Sequence, residues 1–222
     1  MTKKTRLKEI YLIGIQTSFI SEAIEICELN GFNKIILIDN LNKIPRKKID
    51  GYSVYGLNNF LNRKNTINFC CCLHTPIFRE KVINSLPVNY KGYSIVHPKA
   101  VISKRARISN RGVIIGANSV IGAHSDISDY VIINRGTLIG HDVVIGSFST
   151  IESGAILGGK TNIGKKSFVG MGAKILPEIT IGNNSVVGAG AVVRNDVKGG
   201  SLVAGIPAVV KKTNIEGYIG TG

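Results

Sequence analysis

The chain has 222 residues, 44% of them apolar and 6% aromatic, with 26 Gly, no Trp and a formal net charge of +14. That length allows one or two domains with a real core, and the apolar share excludes a disordered chain. No apolar run approaches the roughly 20 residues that span a bilayer.

The first residues, Met1-Thr2-Lys3-Lys4, lead through charged positions to a short apolar stretch, Tyr11 to Ile15. That stretch is too short for a secretory leader and reads as a first strand, so a cytoplasmic protein without membrane insertion is expected. The basic residues are scattered and lack an aromatic-basic motif, so nucleic acid is not an expected partner. Two accounts of the charge stand: a field that attracts polyanionic ligands, and a compositional bias toward Lys, Ile and Asn. Cys27, Cys70, Cys71 and Cys72 do not match zinc-ligand spacing and read as small buried residues in a reducing compartment, with no metal expected.

In chain order, the pattern predicts a strand over Glu9 to Ile15, an amphipathic helix over Phe19 to Asn30 and a strand over Lys34 to Ile38 ending at Asp39. A strand over Ile67 to Cys72 and a helix around Phe78 to Asn84 follow. Alternation of strand and helix predicts a small parallel sheet of Rossmann type over residues 1–92. The turn after the first strand, Gly14-Ile15-Gln16-Thr17-Ser18, holds a single glycine where a dinucleotide fingerprint would hold three. Asp39 reads first as a solvated loop carboxylate and second as a contact to a nucleoside hydroxyl or base edge. His74 reads as a loop residue.

From Ile115 onward every sixth residue, through Ile121, Ile127, Ile133, Ile139, Ile145 and Ile151 to Val193, is Ile, Leu or Val at all 14 positions. Gly follows the aliphatic in 9 of the 14, and Ser, Thr or Ala sits four places after it in 10. A period of six fits neither a helix nor simple strand alternation. It predicts a three-sided coil, with a short strand on each side, tight corners and the aliphatic pointing inward. Val96, Ile102 and Ile108 extend the series upstream with one extra residue before Ile115, giving about six stacked coils.

This hexad pattern resembles the left-handed parallel β-helix acyltransferases of the hexapeptide-repeat superfamily. Joined to a short Rossmann-like domain, it resembles the bacterial sugar O-acyltransferases of the sialic acid O-acetyltransferase type. Within that group the nearest in kind are the bacillosamine- and perosamine-type N-acetyltransferases of nucleotide-linked 4-amino-4,6-dideoxy sugars. The landmarks are Ile95-Val96-His97-Pro98-Lys99-Ala100, Ile132-Ile133-Asn134-Arg135-Gly136-Thr137, Gly140-His141-Asp142-Val143-Val144-Ile145-Gly146 and Ala204-Gly205-Ile206-Pro207-Ala208.

The resemblance implies a nucleotide-sugar-binding domain over 1–92, a left-handed β-helix acyltransferase domain over 93–210 and a C-terminal tail over 211–222. It implies a homotrimer with active sites between subunits, acetyl-CoA as co-substrate and a nucleotide-linked amino sugar as acceptor, within glycan or O-antigen biosynthesis. His141 is the implied general base and Asp142 its partner, a pairing that needs a bend at a coil corner. The implied acceptor contacts are Gly14, Gln16, Thr17, Asp39, Asn40 and Asn134, although Asn134 reads equally as a rung of a structural Asn ladder. Gly159, Gly170, Met171, Ala189 and Lys211 are the implied coenzyme contacts, although glycine in a coil reads equally as structural. Lys211 and Lys212 read equally as a solvated basic terminus. His97 reads as structural and His124 as a surface residue, and Thr150 stands where some relatives carry a second histidine. An O-acetyltransferase of sialic acid or a related polysaccharide sugar, and a noncatalytic hexapeptide scaffold, remain as alternatives.

Overall fold

The computed structural model describes residues 8–17, 19–63 and 65–220; Ser18, named in the sequence reading of the first turn, and residues 1–4 lie outside them. The N-terminal elements are β1 (Glu9–Ile13), α1 (Phe19–Leu29), β2 (Lys34–Asp39), β3 (Lys48–Ile49), β4 (Tyr52–Gly56), α2 (Leu57–Leu61), β5 (Ile67–Cys71), α3 (Pro76–Asn84) and β6 (Tyr90–Gly92). They form one sheet in the order β3-β4-β2-β1-β5-β6, parallel except for the β3–β4 hairpin.

β1 stops at Ile13, two residues short of the sequence reading. Gly14 turns the chain there at φ +99, and a Cβ on it would lie 2.8 Å from Leu73 Cδ2. α3 starts two residues early because Pro76 occupies the first helical turn, where its missing N–H costs nothing. β3, β4, α2 and β6 are short and carry no long period, and the sequence reading lacks them.

The second half is the three-sided coil. Its strands are two residues long and stack in register on the coil 18 residues on, as in Ile114–Ile132–Thr150. Three parallel faces result, ending in a hairpin of Leu202–Gly205 with Ala208–Lys212. Lys211 and Lys212 therefore belong to this final strand rather than to a tail that starts at residue 211. Beyond it the chain returns to the coil: Tyr218 stacks on Phe168 with centroids 3.9 Å apart, and Ile215 N–H donates to Gly200 O at 2.9 Å.

The hexad aliphatics fill the prism. Every one from Ile115 to Val193 is at most 3% exposed. Full burial of each such side chain is worth about 1.5–3 kcal/mol. The small residues four places on point inward at the corners. Their hydroxyls bind corner carbonyls, as in Ser119 to Asn134 O at 2.9 Å, Ser125 to Gly140 O at 2.8 Å and Ser149 to Gly164 O at 2.7 Å. A buried carbonyl without such a partner would cost about 1–3 kcal/mol, which explains why Ser and Thr serve here.

The outward residues make the three faces different. The face of Ile95, Ile114 and Ile132 is buried against α1, through Ile20, Ala23, Ile24 and Cys27. The next rung, Thr150, meets Arg79 of α3, and Phe168 lies under Tyr218. A second face is mainly polar, with Arg107 and Asp126 ion-paired at 2.7 Å and Asn162 and Thr180 further along. The third carries Val101, Val120, Leu138 and Ile156 in one row, each 36–63% exposed, and is bare.

Arg79, fully buried, fastens the two halves. It donates to the carbonyls of Leu73, His74, Tyr130, Phe148 and Ser149 and to Thr150 Oγ1. Burial pushes its pKa down to about 10, which leaves it charged at neutral pH. The four cysteines are buried free thiols, and burial raises Cys71 to about 12.

Replacing a mid-prism aliphatic should cost a full cavity, because neighbouring coils hold the walls apart. Ile145→Ala is expected to lower stability by about 2–5 kcal/mol in denaturant unfolding. Loss of less than about 1 kcal/mol would contradict a rigidly stacked interior.

Candidate active site

Two places among the described residues hold the side chains that the sequence singles out. The first is a solenoid corner between the bare and polar faces, formed by Gly140-His141-Asp142. Asp142 adopts φ 56, and this left-handed bend swings two neighbouring side chains to one side. His141 Nδ1 and Asp142 Oδ2 lie 2.7 Å apart, with 62% and 48% of their side chains exposed. The carboxylate fixes the proton on Nδ1 and leaves Nε2 with a lone pair. The His141 contact holds the Asp142 carboxyl below its ordinary range.

Gly159 lies one coil beyond, and a Cβ there would come within 2.6 Å of His141 Nε2. The absence of a side chain at 159 is therefore what gives the imidazole its place. His124, one coil before Asp142, is exposed as the sequence suggests. His97 is buried and its Nδ1 accepts from Lys99 N–H at 3.0 Å, a structural turn.

The second place is a cavity of about 630 Å³ at the carboxyl ends of the N-terminal strands, beside the solenoid. Gln16, Thr17 and Asn40 line it, together with His74, Phe78 and Lys81. Asp39 and Gly14 are not among the residues that line it. Asp39 is fully buried and accepts from Leu41 N–H at 3.0 Å, Ile44 N–H at 2.7 Å and Gln16 Nε2 at 3.0 Å. Burial raises its pKa, but these donors outweigh that and leave it lowered. Asp39 thus shapes the cavity rim from beneath, and Gly14 serves the backbone turn.

Asn134 is neither in an Asn ladder nor beside His141. It is 5% exposed at the opposite corner of the bare face, where its Nδ2 donates to Glu152 Oε2 at 2.8 Å. Glu152 Oε1 in turn meets His74 Nδ1 at 2.8 Å. Burial pushes Glu152 up, but the His74 and Asn134 contacts prevail and hold it below its ordinary value. Thr150 is buried, donating to His74 O at 2.7 Å, so it faces the domain junction and not the His141 corner.

The expected coenzyme contacts divide between corners. Gly159 shares the His141 corner, whereas Met171 and Ala189 lie exposed in the Asn134–Glu152 column. Gly170 is buried, and a Cβ on it would meet Ala189 N at 2.6 Å, so close coil stacking requires a glycine there. Lys211 is exposed on the terminal hairpin.

Sequence reasoning missed His74, Glu152 and Arg79. The signal available for His74 was its place directly after β5, next to the β1 turn, where ligands of open α/β sheets bind. Among the described residues no cluster of His, Cys, Asp and Glu is arranged to hold a metal, and no helix is long and apolar enough to cross a membrane.

Comparison with known proteins agrees with this architecture. The family profile "bacterial transferase hexapeptide (six repeats)" matches residues 160–195. The chain is similar to a variant of perosamine N-acetyltransferase from Caulobacter crescentus in complex with CoA and GDP-perosamine, with a TM-score of 0.84 and 27% identity over 92% of this chain and 97% of that one. It is similar to the acetyltransferase domain of PglB from Neisseria gonorrhoeae in complex with acetyl coenzyme A, with a TM-score of 0.85 and 27% identity over 91% and 98%. WeeI from Acinetobacter baumannii, 21% identical over 90% and 98% with a TM-score of 0.67, shares the fold. A search of curated protein sequences found no match.

The Glu152 contacts tie junction stability to pH. A lowered folded pKa contributes stability above the ordinary glutamate value of 4.5, and that contribution is lost as pH falls through the folded value. Glu152→Gln is expected to lower the melting temperature at pH 7 and flatten its decline between about pH 5 and 3. An acid limb identical to wild type would contradict the coupling.

Proposed function

We propose that this chain, an acyl-CoA-dependent acyltransferase of the hexapeptide-repeat, left-handed β-helix kind, N-acetylates the C4 amine of a nucleotide-linked 4-amino-4,6-dideoxy sugar. The observation that carries the proposal is the His141–Asp142 pair on an open corner of a solenoid joined to a nucleotide-sized cavity. The two 27% identical structures support it, one binding CoA and GDP-perosamine and the other acetyl coenzyme A.

The chemistry needs a base and a held thioester. The acceptor amine attacks the thioester carbon, forming a C–N bond while the carbonyl pair moves onto oxygen. His141 Nε2 takes the proton the nitrogen sheds, and Asp142 balances the imidazolium. A backbone N–H serves as the oxyanion donor. The oxygen pair then returns, the C–S bond breaks, and the coenzyme sulfur recovers a proton from His141. Gly159, without a side chain, leaves the imidazole its place on the corner. Exposed Met171, Ala189 and Lys211 fit a pantetheine arm and its phosphates along the solenoid.

A single chain does not bring these parts together. The cavity adjoins the Glu152 corner through His74, and His141 stands at the other corner of the bare face. An extended stretch of five or six residues separates the two corners by roughly 15–20 Å. Packing the bare row of Val101, Val120, Leu138 and Ile156 against neighbouring copies sets one chain's His141 corner against another's cavity. A homotrimer satisfies this arrangement and covers an apolar stripe that a monomer would leave in water.

His141→Ala is expected to cut turnover by roughly 10²- to 10⁴-fold with little change in acetyl-CoA binding, read from thiol release with an amino-sugar nucleotide as acceptor. Near-wild-type turnover would remove His141 as the base. Leu138→Asp is expected to yield monomers by light scattering, with activity lost although His141 and the cavity are untouched. A persistent trimer, or an active monomer, would contradict assembly through this face.

A further inference from the structure

Among the described residues, two buried side-chain polar atoms have no hydrogen-bond partner, Asn40 Oδ1 and His74 Nε2. Both residues line the same cavity. Buried polar atoms are nearly always paired, so two orphans on one wall mark a place where a polar ligand completes the bonding.

The two residues occupy different parts of that wall. β2 lies on one side of β1 and β5 on the other, so Asn40 follows β2, His74 follows β5, and the β1 turn runs between them. In such a sheet the chain order reverses between β1 and β5, and phosphates settle against the β1 turn at that reversal. Here the turn is poor in glycine. Gln16 and Thr17 carry side chains where bare backbone would otherwise approach a diphosphate.

We propose that His74 replaces the missing glycine-rich turn as the diphosphate contact, donating Nε2–H to a phosphate oxygen while Nδ1–H is anchored on Glu152. The inference rests on the nucleotide-sugar reading and names the group within that site that grips the acceptor. Glu152, held by Asn134, fixes the ring and balances the charge of the imidazolium formed when Nε2 takes a proton from solvent as the anion binds, and Phe19 packs edge-on to the ring at 4.2 Å. Lys81 at the same cavity adds a second positive group. Charge-assisted hydrogen bonds of this kind are the stronger class, and their geometry is fixed by the anchoring carboxylate. Asn40 is left for the nucleoside.

The test is calorimetric titration of the full-length protein with GDP, UDP and dTDP and with the corresponding nucleosides. Two variants separate contact from scaffolding. His74→Asn places an amide where Nδ1 sits and keeps the Glu152 bond, while His74→Gln places one near Nε2. For the diphosphate that wild type prefers, His74→Asn is expected to weaken binding roughly 10- to 100-fold, to change nucleoside binding less than about threefold and to keep the wild-type melting temperature. His74→Gln is expected to retain part of the diphosphate advantage. Diphosphate binding unchanged in His74→Asn, or an equal loss for nucleoside and diphosphate, overturns this inference alone. A wild-type protein that binds none of the three diphosphates overturns the nucleotide-sugar reading itself.

Discussion

The register of one coil on the next governs everything else in this protein. An inward aliphatic every six residues fills a prism with no room to spare, and each corner must fit beneath the corner 18 residues on. At Gly140 a Cβ would lie 2.7 Å from Gly159 N, so the corner backbone is in contact from coil to coil. A side chain placed on a corner is thereby fixed in height and direction by a backbone that cannot yield. His141 inherits its position from that stack. Its geometry with Asp142 follows from one left-handed residue and not from a flexible loop.

Because a triangular coil has three outer faces, one sequence period yields three surfaces with separate fates. Ile114 and Ile132 take the N-terminal domain, Asp126 and Asn162 face water, and Val120, Leu138 and Ile156 remain apolar and uncovered. The buried Arg79 holds the docked face by satisfying carbonyls of Leu73 and His74 in one half and of Tyr130, Phe148 and Ser149 in the other. That fastening places the cavity beside the Glu152 corner and away from the same chain's His141. The separation of cavity and His141 within one chain is thus a consequence of which face the N-terminal domain occupies.

Much of this was legible in the residues. The hexad series specified the prism because a local, strictly repeated pattern carries its own register, and the His141-Asp142 pair stood out within it. The strand-helix alternation also showed the N-terminal sheet, with errors at Gly14 and Pro76 where turn chemistry set the ends. What stayed hidden depends on separation in sequence. His74 and Glu152 are 78 residues apart, and no spacing rule links them. Asp39 looked like a ligand carboxylate because strand-end acids often are, yet two nearby amides and Gln16 claim it. The backbone of Ala189 pressed against Gly170 likewise appears only once the coils are stacked.

The central claim is that a solenoid corner and a neighbouring chain's cavity together make one acetyl-transfer site. A crystal structure with coenzyme A and a nucleotide-linked 4-amino-4,6-dideoxy sugar tests it most directly. The account expects the nucleotide in the cavity of one chain and the C4 amine within about 3 Å of His141 Nε2 from the next. A sugar seated in the cavity with its amine facing solvent or its own solenoid, far from every His141, would contradict it.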